Sequence, residues 1–239
     1  PTTASSRSAA TSTRSLKNLV VKYYGDWERG VPYTPQIETE PPQEHERVKH
    51  YVWKDAQTVP LLRIAWHTGA DGYDLQRLAA LQLLSDMLCS RSGRLTGLLR
   101  NDLGWVESIS ADAELKKDPG LFVISARISD TGDLQMVSDT ILARLSNLQE
   151  TQVSAAELSR ARNNRRARLI YRLERPAGVA GSLGYYHLLT GDWRGLLRFS
   201  EAYDAVTPSQ LQQLVAEIFT ADNRTVVTLA PKLAAGEGE

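Results

Sequence analysis

One cysteine and two methionines stand among 239 residues, there are only three phenylalanines, and lysine plus arginine balance aspartate plus glutamate at 28 each. The lone Cys89 cannot close a disulfide within the chain. Set among Leu84, Met87 and Leu88, it reads as a buried small apolar side chain rather than a reactive thiol. The charge balance gives no reason to expect a nucleic-acid binder or a strongly acidic partner. No run approaches the ~20 apolar residues that a membrane span needs, and no hydrophobic core of a signal peptide is in view. The chain starts at Pro1 rather than Met, so it reads as a fragment, with room upstream for a targeting signal or a partner domain.

Catalytic signatures are missing as well. There is no GxSxG elbow for a nucleophilic serine. The stretch Gly178-Val-Ala-Gly181-Ser-Leu-Gly184 has neither the preceding strand nor the lysine of a phosphate loop, and close helix packing is the expected reason for its glycines. The histidines are His45, His50, His67 and His187. His45-Glu46-Arg47-Val48-Lys49-His50 falls one residue off the HExxH pattern, and the extra residue matters. Histidines five apart diverge by about 140° on a helix and point to opposite faces of a strand, so they cannot share a zinc ion as histidines four apart do. His67 and His187 have no partner at ligand spacing. No metal site is expected in this chain.

What is present has the pattern of an α+β protein. Residues 1 to 15 offer little to bury and are expected to form a disordered arm. Leu16 to Tyr24 has helical spacing, and the proline-bearing connector that follows completes a segment 16–45. Arg47–Trp53 and Pro60–His67 read as strands with a turn at Asp55 to Thr58, and Asp71–Cys89 as a wide-faced central helix. Gly93–Arg100 predicts a short helix ending near Gly104. Trp105–Asp112, with Trp105, Glu107, Ile109 and Ala111 on one face, and Leu121–Ile128 predict a hairpin turned by Asp118-Pro119-Gly120.

Leu134, Val137, Ile141, Leu145 and Leu148 mark the next helix. Ser154 and Glu157 form a capping box that opens a long helix to Leu173. Pro176 and Gly178 break it before a helix from Val179 to Leu189. Thr207-Pro208-Ser209-Gln210 caps a last helix, and Arg224–Ala230 is a terminal strand. Strands followed by helices predict a largely antiparallel sheet with helices layered on one face, in one domain over 46–231 with a tail at 232–239. The long helix carries Arg160, Arg162, Arg165, Arg166, Arg168 and Arg172. Without interleaved aromatics to stack bases, this basic stripe reads as an exposed or interface-facing surface rather than a nucleic-acid site.

Ser92-Gly93-Arg94-Leu95 to Leu99-Arg100, then Gly104, then Ser108 to Ser110, resembles the C-terminal half-domain of the M16 zinc peptidases, the pitrilysin, insulinase and mitochondrial-processing-peptidase family. Lys22-Tyr23-Tyr24-Gly25-Asp26, the Pro60–His67 strand, Pro119-Gly120-Leu121-Phe122, Gly191-Asp192-Trp193, Val206-Thr207-Pro208 and Asn223-Arg224-Thr225 continue the likeness in the same order.

The resemblance implies a half-domain of the LuxS/MPP-like metallohydrolase fold, one half of a clamshell. The other half carries an inverted HxxEH zinc site, and this sequence has none. No catalytic residue and no cofactor is expected here, and zinc is expected in the partner half. In active members this half contributes an arginine and, seven residues on, a tyrosine. Arg100 matches the arginine, and Glu107 stands where the tyrosine should be. The resemblance thus makes Arg100 and Glu107 the substrate-binding residues, a zinc-bearing M16 half or subunit the partner, and an extended peptide the substrate of the assembly. The chain alone is expected to be inactive. The alternative is a degenerate peptidase-like subunit kept for protein assembly, which the missing tyrosine favours. Localisation stays open, and a periplasmic home is compatible with a bacterial relative.

Overall fold

The computed structural model describes residues 14–28, 30, 38, 41–54, 59–69, 74–113, 120–130 and 132–231. The chain divides into two compact units, Pro1–Pro41 and Pro42–Glu239. Within the first, helix α1 spans 14–24, and its apolar residues Leu16, Leu19, Val20 and Tyr23 are exposed. The turns expected at Asp55 to Thr58 and Asp118-Pro119, the first residues of the arm and the C-terminal tail lie outside the described residues.

The second unit is built on strands β1 (Arg47–Trp53), β2 (Leu61–His67), β3 (Val106–Ala113), β4 (Leu121–Ile128) and β5 (Arg224–Pro231), in the order β1-β5-β2-β4-β3. The pairings are antiparallel except for β1 with β5, which is parallel. Register brings Ile64 opposite both Ile124 and Val226, so one face carries Leu62, Ile64 and Trp66 beside Phe122, Ile124, Ala126 and Ile128. All of these are buried. The period of two in the sequence therefore names the core face of β4 correctly.

Helix α2 (Leu75–Cys89) packs on this face. Its N-terminus is capped by Asp74, whose carboxylate accepts from the amides of Gln76 (2.8 Å) and Arg77 (3.2 Å). α2 is buried almost all round from Ala79 to Leu88 because the sheet lies on one side and helices α4 (Ala155–Leu173) and α6 (Gly195–Ala205) lie against it. Helix α3 (Leu134–Glu150) buries Val137, Ile141, Leu145 and Leu148, the stripe expected from steps of three and four. Helix α7 (Pro208–Ile218) buries Leu211, Leu214, Val215 and Ile218 behind a complete Thr207–Gln210 capping box. Phe219, just past α7, meets the rings of Trp66 and Phe122 edge to face at 4.8 and 5.1 Å, tying the helical layer to the sheet.

Four expectations need correction. Helix α5 runs Pro176–Thr190 rather than from Val179, because proline at the first helical position gives up an amide that would be unpaired there anyway. The sequence reading assigned no element to α6. Ser154 caps α4 by accepting from the Glu157 amide, but the return half of the box is absent because the Glu157 carboxylate is held by Arg94. The alternation expected along β3 holds from Ile109 to Ala113 and breaks at Val106 and Glu107, for a reason that bears on the site.

Candidate functional site: the edge strand β3 and the segment before it

α2 ends at Ser90, and the chain turns sharply. The amide of Gly93 donates to the Ser90 carbonyl at 2.8 Å, and a Cβ on Gly93 would stand 2.5 Å from the Leu88 carbonyl oxygen, so only glycine fits. Arg94 fixes this turn from outside with a bidentate pair to Glu157 of α4, both contacts at 2.7 Å, and that hydrogen bond raises the arginine's pKa above its ordinary value.

The short helix expected at Gly93–Arg100 is instead a π-helical segment, Thr96–Asp102. Its wide turn shows in the bond from the Leu103 amide back to the Leu98 carbonyl, five residues earlier, at 3.0 Å. Two leucines four apart, Leu95 and Leu99, are buried in either geometry, so their spacing could not distinguish the two. Single-turn π segments occur frequently at functional sites. Gly104, at φ +67°, then reverses the chain into β3. Ser129, just past β4, donates to the Gly104 carbonyl from its hydroxyl (2.5 Å) and to the Trp105 carbonyl from its amide (3.0 Å), which pins the start of β3.

β3 is a sheet edge, with β4 as its one ladder partner among the described residues. Its register slips between Val106, opposite Ile128, and Ser108, opposite Arg127. Glu107 is the extra residue of a β-bulge. The bulge explains why Val106 is buried and Glu107 exposed, out of phase with Ile109 and Ala113, which are buried as alternation from Ile109 onward requires. Glu107 is exposed and pairs with Arg127 across the strands at 3.2 Å, not with Arg100. Both partners are about half exposed, so the pair contributes little to stability. Arg100 is exposed, and its side chain makes no hydrogen bond or ion pair with any described residue. The structure thus sets Arg100 and Glu107 on either side of the Gly104 turn, on the π segment and the bulge.

Several of the other sequence candidates have partners within the fold. His50 of β1 shares a 2.7 Å hydrogen bond between Nδ1 and the Thr228 hydroxyl. Among the described residues, no group of three or more His, Cys, Asp or Glu side chains could hold a metal ion. No helix among the described residues is long and apolar enough to cross a membrane.

Of the six arginines on α4, four are engaged within the chain. Arg165 and Arg168 meet the buried Asp86 at 2.5 and 2.8 Å, Arg166 meets Asp204 at 2.6 Å, and Arg162 donates to the carbonyls of Tyr203 and Val206. Sequence reasoning missed Asp86, the hub of this network. A carboxylate inside the apolar stretch Leu83-Leu84-Ser85-Asp86-Met87-Leu88 was the signal available. Burial pushes the Cys89 thiol up to about 12, so the thiolate that would react is scarce. At pH 8 the folded chain is expected to resist a disulfide-exchange reagent and to take up one equivalent after denaturation. Labelling of the native chain at the rate of a free thiol would contradict its placement, partly buried against the core.

No curated protein sequence matches the chain. Among solved structures, a protease from Helicobacter pylori is similar at TM-score 0.80 and 23% identity, over 91% of this chain and 52% of that one. A putative zinc protease from Bordetella pertussis Tohama I is similar at TM-score 0.61 and 22% identity, over 76% of this chain and 99% of that one. A chain of complex III2 from Candida albicans is similar at TM-score 0.70 and 16% identity, over 86% of this chain and 50% of that one. These likenesses establish a shared fold, and the chain spans about half the length of the Helicobacter protein. The family described as the peptidase M16 inactive domain matches residues 10–165. With the one-sided α+β sheet and that match over more than half its length, the chain belongs to the M16 peptidase family as its inactive domain.

Proposed function

We propose that this chain is the non-zinc half of an M16-type metallopeptidase, closing a chamber with a zinc-bearing half and orienting an extended peptide for hydrolysis there. The observation that carries this reading is the unpaired outer side of β3 next to an exposed, uncommitted Arg100. An extended peptide adds to such an edge through main-chain hydrogen bonds, and the bulge at Glu107 interrupts regular pairing at the end of β3 that follows the π segment carrying Arg100. The zinc of the partner half supplies an activated water. This chain holds the peptide backbone in register and places a fixed positive charge near the carbonyl under attack.

Mixing the chain with a zinc-bearing M16 half, marked by HxxEH, tests this directly. Turnover of a quenched fluorescent peptide is expected in the mixture and in neither half alone. Turnover by this chain alone would overturn the assignment. A second reading is favoured by Glu107 in the tyrosine position and by the likeness to a chain of complex III2. On that reading the domain serves assembly, and the two halves would form a stable complex without turnover.

A further inference from the structure

Helix α5, PAGVAGSLGYYHLLT, contains no Asp, Glu, Lys or Arg. A helix so uniformly uncharged belongs in an interior. α2, which is comparably apolar, is buried over most of its length, whereas Ser182 is the buried residue of α5. Leu188 is 84% exposed, and just beyond the helix Trp193 and Leu197 are also exposed. The glycines sharpen the contrast. A Cβ on Gly178 would collide with the Arg172 carbonyl, so packing within the chain explains that one. A Cβ on Gly181 or Gly184 would meet no atom within 4 Å. Glycine weakens a helix interior relative to alanine, and no contact inside the chain requires it at these two positions. Gly181, Gly184 and Leu188 recur at steps of three and four and share one helix face. Bare backbone beside a protruding leucine is the relief that lets a second helix approach closely.

We propose that this face of α5, continued along the chain by Trp193 and Leu197, is the surface on which the complementary M16 half docks. The inference rests on the proposed function and specifies where its two halves meet. A second copy of this chain fits less well. Two-fold antiparallel pairing would bring the exposed Arg175, at the N-terminal end of α5 in one copy, towards the C-terminal end of α5 in the other, which Arg194 and Arg198 follow. Arg194 and Arg198 are both more than half exposed and share one carboxylate, Asp192, so net positive charge would face Arg175 at both ends. A partner with an apolar helix and an acidic rim avoids that conflict. Length points the same way, because the Helicobacter protein carries nearly as much chain again beyond the part matched here.

The probe is the zinc-bearing half of the mixing experiment, with binding to the whole chain followed by titration calorimetry. Gly184→Leu and Leu188→Asp are each expected to weaken pairing by about tenfold or more. Gly184→Leu is also expected to raise the Tm of the chain alone by about 2–4 °C through helix propensity. A fall in Tm alongside the binding loss would mean that the glycine serves internal packing and would overturn the proposal. Unchanged pairing in both variants would sink this inference and leave the proposed function standing, whereas no pairing by the unsubstituted chain would sink both. A dimer of this chain in sedimentation that Leu188→Asp dissolves would make a second copy the occupant instead.

Discussion

Replacing Asp86 with alanine is expected to lower the unfolding free energy by about 3 kcal/mol, the low end of the cost of breaking a buried charge pair. Asp86 is 6% exposed and accepts from Arg165 at 2.5 Å and Arg168 at 2.8 Å. The two arginines do not respond alike. The Arg168 side chain is half exposed and returns to water when the carboxylate is removed. Arg165, at 20% exposure, stays between the Gln82 carbonyl and the Ser85 hydroxyl with its charge uncompensated. Arg168→Ala should therefore cost under about 1 kcal/mol. A double replacement, Asp86→Leu with Arg165→Met, should recover much of the loss, because two apolar side chains of similar volume leave no orphaned charge. Urea denaturation measures all three, read as midpoint shifts at constant slope. If Asp86→Ala costs no more than Arg168→Ala, the network is not what holds α4 against α2. The effect should extend to the site, since α4 carries the Glu157 that clamps Arg94 and the Gly93 turn.

Periodicity made the core of this fold legible before any coordinates. The buried face of β4 and the stripes of α3 and α7 follow from spacing, because in each case a single surface has to be removed from water and the backbone repeat dictates which residues share it. The failures occur where another force sets the geometry. The bulge at Glu107 inserts one residue and puts Val106 out of phase with the alternation that β3 follows from Ile109 on, and nothing in Val106-Glu107-Ser108 marks it. The π segment keeps Leu95 and Leu99 inside just as an α-helix would. The arginines of α4 read as a solvated stripe because their partners, Asp86 and Asp204, lie 79 and 38 residues from Arg165 and Arg166 respectively. The resemblance picked out Arg100 and Glu107. What the sequence could not convey was that Glu107 occupies an edge bulge and is already paired with Arg127.

In a mixture of this chain with a zinc-bearing half, Arg100→Ala should lower peptide turnover by about 10²-fold or more, the usual consequence of removing a donor aimed at developing negative charge. Glu107→Tyr should do the opposite. At neutral pH a carboxylate only accepts hydrogen bonds and places negative charge near any oxyanion formed at this edge, whereas a phenol donates. The cost to the fold is small, because the Glu107–Arg127 pair that it breaks is half exposed, and an aromatic side chain suits a strand edge. Glu107→Tyr should therefore raise kcat with little change in Tm. Glu107→Gln separates the two contributions, since it removes the charge without supplying a hydroxyl and should recover only part of the gain. If the arginine and glutamate variants all leave kcat and KM where they were, β3 does not face the reacting peptide. If turnover is absent from the start and Glu107→Tyr creates it, the missing phenol is what separates an assembly subunit from a working half.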